Sequence, residues 1–599
     1  MSHEDLRSEA LDWLSALERS LAGPEPKGVA ALFGEDCYWR DFVAFTWTIV
    51  TLEGRDAIAA MVASRAAKVG MHDLALDGEP KRIEGGLEFW FTLATAVGRG
   101  RGHARLRGGR CWTLLTTLRE LVGHEEKRGE TRPRGTVHGA VRNRRTWADE
   151  RADDARLGID RQPYVLIVGG GQGGLGLAAR LKQIGVPALV VDRHEKPGDA
   201  WRSRYRSLCL HDPVWFDHMP YLPFPDHWPV FTPKDKMGDW LEAYSRIMEL
   251  DLWNSTTCRG ARYDADERRW TVEVDRDGTP VMLHPQHLVL ATGMSGKPNV
   301  PRVPGQDLFR GVQHHSSAHP GGGPYAGKRC VIIGANNSAH DIAADLWEHG
   351  AEVTMVQRSP TLVVRSETVQ RLGWSLYSEA AVKAGISVDD ADLIVASTPF
   401  AVLPQMLKPV VQRMKEEDAE FYDSLRAVGF LLTFGEDETG LGLMYPRRGS
   451  GYYIDVGASD LIARREIALR SGVGLAGLTT DAVILDDGSR VPAELVVYAT
   501  GYGSMTGWAA DLISEEVADR VGPCWGMGSG TARDPGPWVG ELRNMWKPTA
   551  QEGLWFHGGN LAQSRHYSRY LALQLKARLE GMDVAVYAPN PDDVPSRMT

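Results

Sequence analysis

The sequence predicts an α/β chain with two nucleotide-cradling strand–loop–helix units, the second inserted into the first, and an α+β domain ahead of both. Three observations carry this. Glycine-rich turns at 169–174 and 334–339 each follow an apolar run and open an apolar-periodic segment. Two strand-like runs, 288–290 and 493–498, lead into Ala-Thr-Gly and bracket the second turn. The first 123 residues hold an amphipathic segment, Leu6 to Leu21, and then alternating runs such as Leu87 to Leu93 and Cys111 to Leu118.

The organisation expected from these signals is an α+β domain over 1–123 and a linker over 124–162, rich in Arg, Glu and Gly and without periodicity. The first part of the outer nucleotide domain covers 163–325, the inserted one 326–490, and the return 491–585, with a tail over 586–599. Within the inserted domain, 366–446 is longer than a minimal connection. Its apolar run Leu393 to Leu403 and charged segment Lys415 to Asp423 suit either a roof over a substrate pocket or a contact between two copies in a homodimer.

In the first unit, Tyr164 to Val168 reads as a buried strand and Leu175 to Leu181 as a helix. Gly169 permits the tight turn, Gly171 lets backbone approach a pyrophosphate, and Gly174 lets the helix sit close to the sheet. A second strand, Ala188 to Val191, ends in Asp192, placed to accept hydrogen bonds from adenosine ribose hydroxyls. The site suits FAD or NAD. The second unit keeps Gly334 but carries Asn336 and Ala339 in place of the later glycines, and Asn336 is a candidate contact to a pyrophosphate. Its next strand, Glu352 to Val356, ends in Gln357-Arg358-Ser359 with no carboxylate. Arg358 offers a fork of donors to a 2′-phosphate, which favours NADP over NAD. A chain that holds two dinucleotides carries electrons between a nicotinamide and a flavin. Gly293 and Gly501, at the ends of the Ala-Thr-Gly turns, and Gly559, ahead of a helical segment through Lys576, are expected to line the cofactors.

Composition fits a soluble multidomain enzyme, since 599 residues exceed one core. The formal net charge of −10 is mild and argues against a nucleic-acid partner. No apolar run is long enough to span a bilayer, and the N-terminus lacks a secretion signal, so the expected address is the cytoplasm. The six cysteines form no Cys-x-x-Cys pair, so neither a disulfide framework nor a metal site is expected, and the lone Cys209 cannot serve as the paired thiol of a flavin disulfide reductase.

From about 163 to 580 the chain resembles the flavin-containing monooxygenases, with their YUCCA-type branch nearest. The residues that carry the resemblance are Asp192 followed by Gly198-Asp-Ala-Trp201, the segment Tyr205 to Pro213, Leu222-Pro-Phe-Pro225, and Phe309-x-Gly311-x-x-x-His315. Ile454-Asp-Val-Gly457 and Gly553 to Gly558 join them. Asp199 stands where the family has a second glycine, and His319 where it has an aromatic residue.

The resemblance implies FAD in the first site, with Trp201 among its contacts, and NADPH in the second. NADPH would reduce the flavin, which reacts with dioxygen to a flavin hydroperoxide and inserts one oxygen atom into a small organic substrate. A 2-oxo acid or other carbonyl, or a soft nitrogen or sulfur nucleophile, would serve. His211 lies where the YUCCA type also carries histidine, and His211 and Asn336 are the catalytic candidates. A neutral imidazole at 211 can hydrogen-bond the peroxide or the nicotinamide amide. His315 and His319 are expected to order the interdomain linker. The alternative is a non-oxygenating FAD/NADPH flavoprotein that leaks electrons to hydrogen peroxide, senses redox state or binds a partner. The N-terminal domain is similar in pattern to SnoaL-like, ketosteroid-isomerase-like cone folds at Cys37-Tyr-Trp-Arg-Asp41. There Tyr38, Asp41 and His72 would form an acid/base site if they converge; otherwise the domain is an oligomerisation or lid module.

Overall fold

The structure, a computed structural model, describes residues 3–23, 26–136, 138–525 and 541–588. Its N-terminal unit is α+β. The helix His3–Ala22 buries Leu6, Ala10, Trp13, Leu14, Leu17 and Leu21, a stripe at helical spacing. Against it lies a seven-stranded sheet in the order Ile49–Glu53, Phe33–Phe42, Arg110–Leu121, Gly98–Arg107, Gly86–Ala94, His72–Leu76, with Lys81–Ile83 paired to Gly86–Ala94. Aromatic rings fill the space between, Trp13 meeting Phe33 at 6.4 Å and Phe33 stacking on Trp39 at 5.9 Å.

The expected acid/base trio does not form. Tyr38 and Asp41 stand three residues apart on one strand and so face opposite sides of the sheet. His72 is exposed on the strand at the far edge. Asp41 itself is saturated: its oxygens accept from the amides of Phe45 (3.0 Å) and Thr46 (2.9 Å) and from the hydroxyls of Thr46 and Thr116 (both 2.6 Å). Burial still pushes it up to about 6, with those bonds pulling the other way. This is a structural carboxylate that ties two strands and a turn.

Two five-stranded sheets follow, both wholly parallel. The first runs Leu252–Trp253, Ala188–Val191, Val165–Val168, His287–Leu290, Leu554–Phe556. The second runs Ala468–Ser471, Glu352–Gln357, Arg329–Ile333, Leu495–Tyr498, Val312–His315. Their central strands are buried on both faces, as parallel sheets covered by helices require. Each also carries a three-stranded antiparallel meander, at 256–283 and 475–492, so the chain has built one plan twice.

The expected domain limits need correction. Leu495–Tyr498, assigned to the returning FAD domain, pairs with Arg329–Ile333 and is a central strand of the second sheet. Val312–His315, assigned to the first part, is that sheet's edge strand. The reason is that each sheet owns one Ala-Thr-Gly strand, paired to its own loop strand, and the tripeptide does not say which sheet. The two crossovers between the domains therefore run side by side. Asn299 N donates to Gly501 O (3.0 Å) and Gly503 N to Lys297 O (2.8 Å).

The 124–162 stretch is mostly exposed but not featureless, since Thr146 caps a helix over Trp147–Asp154 through a capping box. The 366–446 insertion is helical, and its helix Val388–Ala396 is wedged between the N-terminal sheet and the C-terminal helix Leu561–Leu579. Arg40 Nη1 donates to the carbonyls of Ala396 (3.0 Å) and Thr398 (2.8 Å), and Arg101 pairs with Asp390 at 2.5 Å. From the other side Arg565 grips Asp392, both buried, at 2.8 and 2.9 Å, and Arg569 pairs with Asp389 at 2.8 Å. Arg40 also pairs with Glu541. Of the expected tail, only residues to 588 are described, and Tyr587 N donates to Thr46 O at 2.9 Å on the N-terminal unit. No helix among the described residues is long and apolar enough to cross a membrane.

Candidate active site

The two glycine turns fold alike. Gly169 has φ +112° and a Cβ there would stand 2.4 Å from Ala291 O; Gly334 has φ +129° and its Cβ would stand 2.3 Å from Ala499 O. Each turn is thus clasped by the alanine of its own Ala-Thr-Gly strand, a left-handed position with no room for a side chain. A Cβ on Gly174 would lie 1.9 Å from Gly169 O, whereas one on Gly171 would meet nothing within 4 Å. The same open space faces Gly293 and Gly501, both at positive φ, so the residues present fit a dinucleotide in each cradle. In the second turn Ala339, fully buried, takes the place of Gly174. Asn336 starts the helix Asn337–Glu348 with its carbonyl, which accepts from Ala339 N and His340 N, while its side chain makes no capping bond.

Asp192 braces the first loop. Its Oδ2 accepts from Gly170 N (2.5 Å) and its Oδ1 from His194 N (2.8 Å) and Nδ1 (2.7 Å). Burial raises this carboxyl, but the His194 and Gly170 donors outweigh it and leave the group below its ordinary value. Trp201 Nε1 donates to Gln172 Oε1 at 3.2 Å, and Gln172 Nε2 to Gly559 O at 3.4 Å. One side chain so links the loop, the tryptophan segment and the C-terminal turn. At that turn Asn560 and Gln563 form a reciprocal capping box, and the helix it opens points its N-terminus at the first cradle.

His211 stands where the two cradles meet. Its Nε2 is 3.9 Å from Asp212 Oδ1, and its ring meets that of Tyr452 edge-on at 6.5 Å. Tyr452 opens the strand that pairs with Leu362–Arg365, and the next strand residues hold Asn337 of the second loop, Ile454 N donating to its Oδ1 at 3.0 Å. Six residues before His211, Tyr205 OH donates to Asp341 Oδ2 at 2.7 Å on the same helix. Burial raises Asp341 to about 6, against the pull of Tyr205 and His211. On the other side Tyr445, from the end of the insertion, donates to Gln563 Oε1 at 3.4 Å and meets Trp525 at 5.5 Å. The insertion therefore contributes to the wall of this site as well as to an interface within the chain.

The remaining expected residues fall into two groups. Arg358 is exposed at the end of its strand, its stem against Gly474, with the guanidinium free to reach outward. His315 and His319 lie in the crossover: His315 Nε2 contacts Gly501 O at 3.0 Å and His319 Nδ1 contacts His314 Nε2 at 3.1 Å. Gln172, Asp212, Asp341, Tyr445, Tyr452 and Gln563 were not singled out from sequence. Asp212 had a signal, its place beside His211; Tyr445 and Tyr452 had none, because only the folded chain brings them there. All six cysteines are free thiols.

Residues 166–376 match the family model described as pyridine nucleotide-disulphide oxidoreductase. The chain is 30% identical over 365 residues to indole-3-pyruvate monooxygenase YUCCA1 of Oryza sativa, covering 60% of this chain and 82% of that protein. It is 30% identical over 352 residues to indole-3-pyruvate monooxygenase YUCCA6 of Arabidopsis thaliana, covering 57% and 76%. Among solved structures, the closed crystal structure of cyclohexanone monooxygenase shares the fold with a TM-score of 0.52 at 16% identity, over 72% of this chain and 87% of that one.

Proposed function

The chain belongs to the flavin-containing monooxygenase family, and from that premise we propose that it places one atom of dioxygen on a carbonyl group of a small organic substrate, a 2-oxo acid first among them. It is a flavin-dependent monooxygenase that works with FAD, NADPH and dioxygen. The observation that carries the finer reading is the position of His211 between the two cradles, with Asp212 and Tyr452 beside it. The rice relative's named substrate, indole-3-pyruvate, is itself a 2-oxo acid.

On this reading Gly169, Gly171, Gly174, Asp192, Trp201, Gly293 and Gly559 hold FAD, and Gly334, Asn336, Arg358 and Gly501 hold NADPH. Reduced FAD supplies the oxygen-activating chemistry. The protein's part is to orient, to keep water out and to manage protons. Nε2 of His211 turns toward Asp212, which leaves Nδ1 for the nicotinamide amide or the substrate. Tyr445, Tyr452 and Trp525 cover the site from the insertion side. The N-terminal unit, read as SnoaL-like, acts as a brace: its Asp41 is saturated by structural hydrogen bonds, and its outer face is fixed to the insertion and the C-terminal helix.

His211→Asn is expected to bind FAD and accept electrons from NADPH nearly as wild type does, while product formed per NADPH falls on carbonyl substrates and rises on amines and sulfides. Product and hydrogen peroxide are measured against NADPH consumed. An unchanged distribution removes His211 from the chemistry, and peroxide equal to NADPH with every substrate tried in the wild type would favour the non-oxygenating alternative. Arg358→Ala is expected to narrow the NADPH-over-NADH preference in kcat/KM by roughly tenfold, the loss of about 1.5 kcal/mol from one exposed charge-assisted contact. A wild type with no preference would place Arg358 elsewhere than the 2′-phosphate.

A further inference from the structure

Between Trp201 and His211 the chain crosses from one cradle's domain to the other's and back. Trp201 packs against the core of the first sheet and Leu210 lies within it, with Leu210 N donating to Thr232 O at 2.9 Å. Between them, residues 204–208 are held by the second domain. Tyr205, 4% exposed, is buried in that domain's core with Ala339, Ile342 and Ala343, and Leu208 packs against the same core. The Tyr205 hydroxyl donates to Asp341 Oδ2 at 2.7 Å, on the helix Asn337–Glu348 that opens the second cradle. Arg204 Nη1 donates to the hydroxyl of Tyr502, the neighbour of Gly501, at 2.9 Å. A tyrosine carried by the first domain's chain is thus part of the second domain's interior. Burial first, and Asp341 next, hold its phenol well above the ordinary value, so it stays a donor.

We propose that the Tyr205–Asp341 hydrogen bond is a clip that fixes how the two cradles face each other, which makes Tyr205 a positioning residue for the passage of hydride from NADPH to FAD. In that step the hydride carries two electrons from the nicotinamide, leaving NADP⁺, to the flavin, giving FADH⁻. It needs the reacting atoms about 3–3.5 Å apart, and an error of about 1 Å costs on the order of a hundredfold in rate. The paired crossovers, Asn299 N to Gly501 O (3.0 Å) and Gly503 N to Lys297 O (2.8 Å), tie the domains at one place. The clip ties them at a second, on the segment that leads into His211. Two separate ties fix an orientation that one leaves free to turn. Of the strap's polar contacts this is the stronger kind, a phenol on a carboxylate with the tyrosine buried, whereas Arg204 and Tyr502 are both partly exposed. The clip rests on FAD in the first cradle and NADPH in the second, and on no role for His211.

Tyr205→Phe keeps the ring and removes the donor. With FAD bound and NADPH saturating, stopped-flow absorbance should show flavin reduction slowed about tenfold to a hundredfold, while the NADPH Kd from the same traces stays within about twofold of wild type. A residue that served packing alone would lower stability or weaken binding and leave the saturated rate in place. Asp341→Ala should reproduce the loss, and Asp341→Asn, which keeps an acceptor, should recover most of the rate. Tyr205→Phe combined with Asp341→Ala should be no slower than the slower single variant, because both remove one bond. In protein without cofactors, amide hydrogen exchange over 204–208 and 337–341 should quicken several-fold in Tyr205→Phe, while 163–183 keeps its wild-type protection. A saturated reduction rate within about twofold of wild type in Tyr205→Phe overturns the proposal. So does an Asp341→Asn as slow as Asp341→Ala, or unchanged exchange over 204–208. If Tyr205→Phe does not fold, the two Asp341 variants decide from the other side of the bond. Failure of the cofactor assignment shows separately, as an FAD affinity unaltered by Gly171→Ala.

Discussion

Arg565→Ala is expected to destabilise the protein by about 3–5 kcal/mol. The guanidinium is nearly inaccessible, at 3% side-chain exposure, and its partner Asp392 is at 4%. Removing it strands the Asp392 carboxylate in the interior, where among the described residues the Tyr377 hydroxyl, at 2.9 Å, still donates to it. It also strips the carbonyls of Phe216 and His218 of their donor. Because this pair joins the insertion to the C-terminal helix whose N-terminus faces the first cradle, FAD should be released at lower urea than in wild type. Flavin and tryptophan fluorescence in a urea titration measure both. The second arm is Arg565→Met with Asp392→Leu, which removes both charges and should recover most of the loss. If Arg565→Ala alone costs under about 1 kcal/mol, the range of an exposed pair, the joint between insertion and helix is not held here.

The parts of this molecule that were legible in the sequence are the local ones. A buried strand, a glycine turn and an amphipathic helix are contiguous, so Tyr164 to Leu181 and Cys330 to Leu346 announce their own geometry. The membership of Leu495–Tyr498 was not legible, because a strand ending in Ala-Thr-Gly suits either sheet and only its pairing with Arg329–Ile333 decides. The site shows the same division. His211 and Trp201 sit in recognisable segments, while Tyr452 reaches His211 across some 240 residues of chain, with Tyr445 packed against Tyr452. For the N-terminal unit the residue types were right for an acid/base site, yet strand alternation put Tyr38 and Asp41 on opposite faces.

The wedge of the insertion between the N-terminal sheet and the C-terminal helix changes what that unit is for. Its outer face carries Arg40 and Arg101, which a free-standing domain would leave in water. Here they meet Ala396, Thr398 and Asp390. The unit thus fixes the insertion, the insertion fixes Arg565 and Arg569, and these set the helix that opens at Asn560 beside the first cradle.

A pair of glycine substitutions should separate the cradle's architecture from its occupant. Gly174→Ala puts a Cβ 1.9 Å from Gly169 O, a clash with backbone that the loop can relieve only by opening. Overpacking of this kind costs about 1–3 kcal/mol, and it falls on the protein with or without cofactor. The variant should therefore melt lower as apoprotein and bind FAD roughly tenfold to a hundredfold more weakly. Gly171→Ala is different, since its Cβ meets no protein atom within 4 Å and its φ of −77° is open to any residue. Its apoprotein should melt with wild type, and the whole cost should appear in FAD affinity, because on the proposed assignment the methyl enters the space where the pyrophosphate would lie against backbone amides. Apoprotein melting curves and FAD titration followed by flavin fluorescence read the two quantities independently. Equal FAD affinity in Gly171→Ala and wild type would show that the open space in front of this glycine is not the pyrophosphate site, and the assignment of FAD to the first cradle would fall with it.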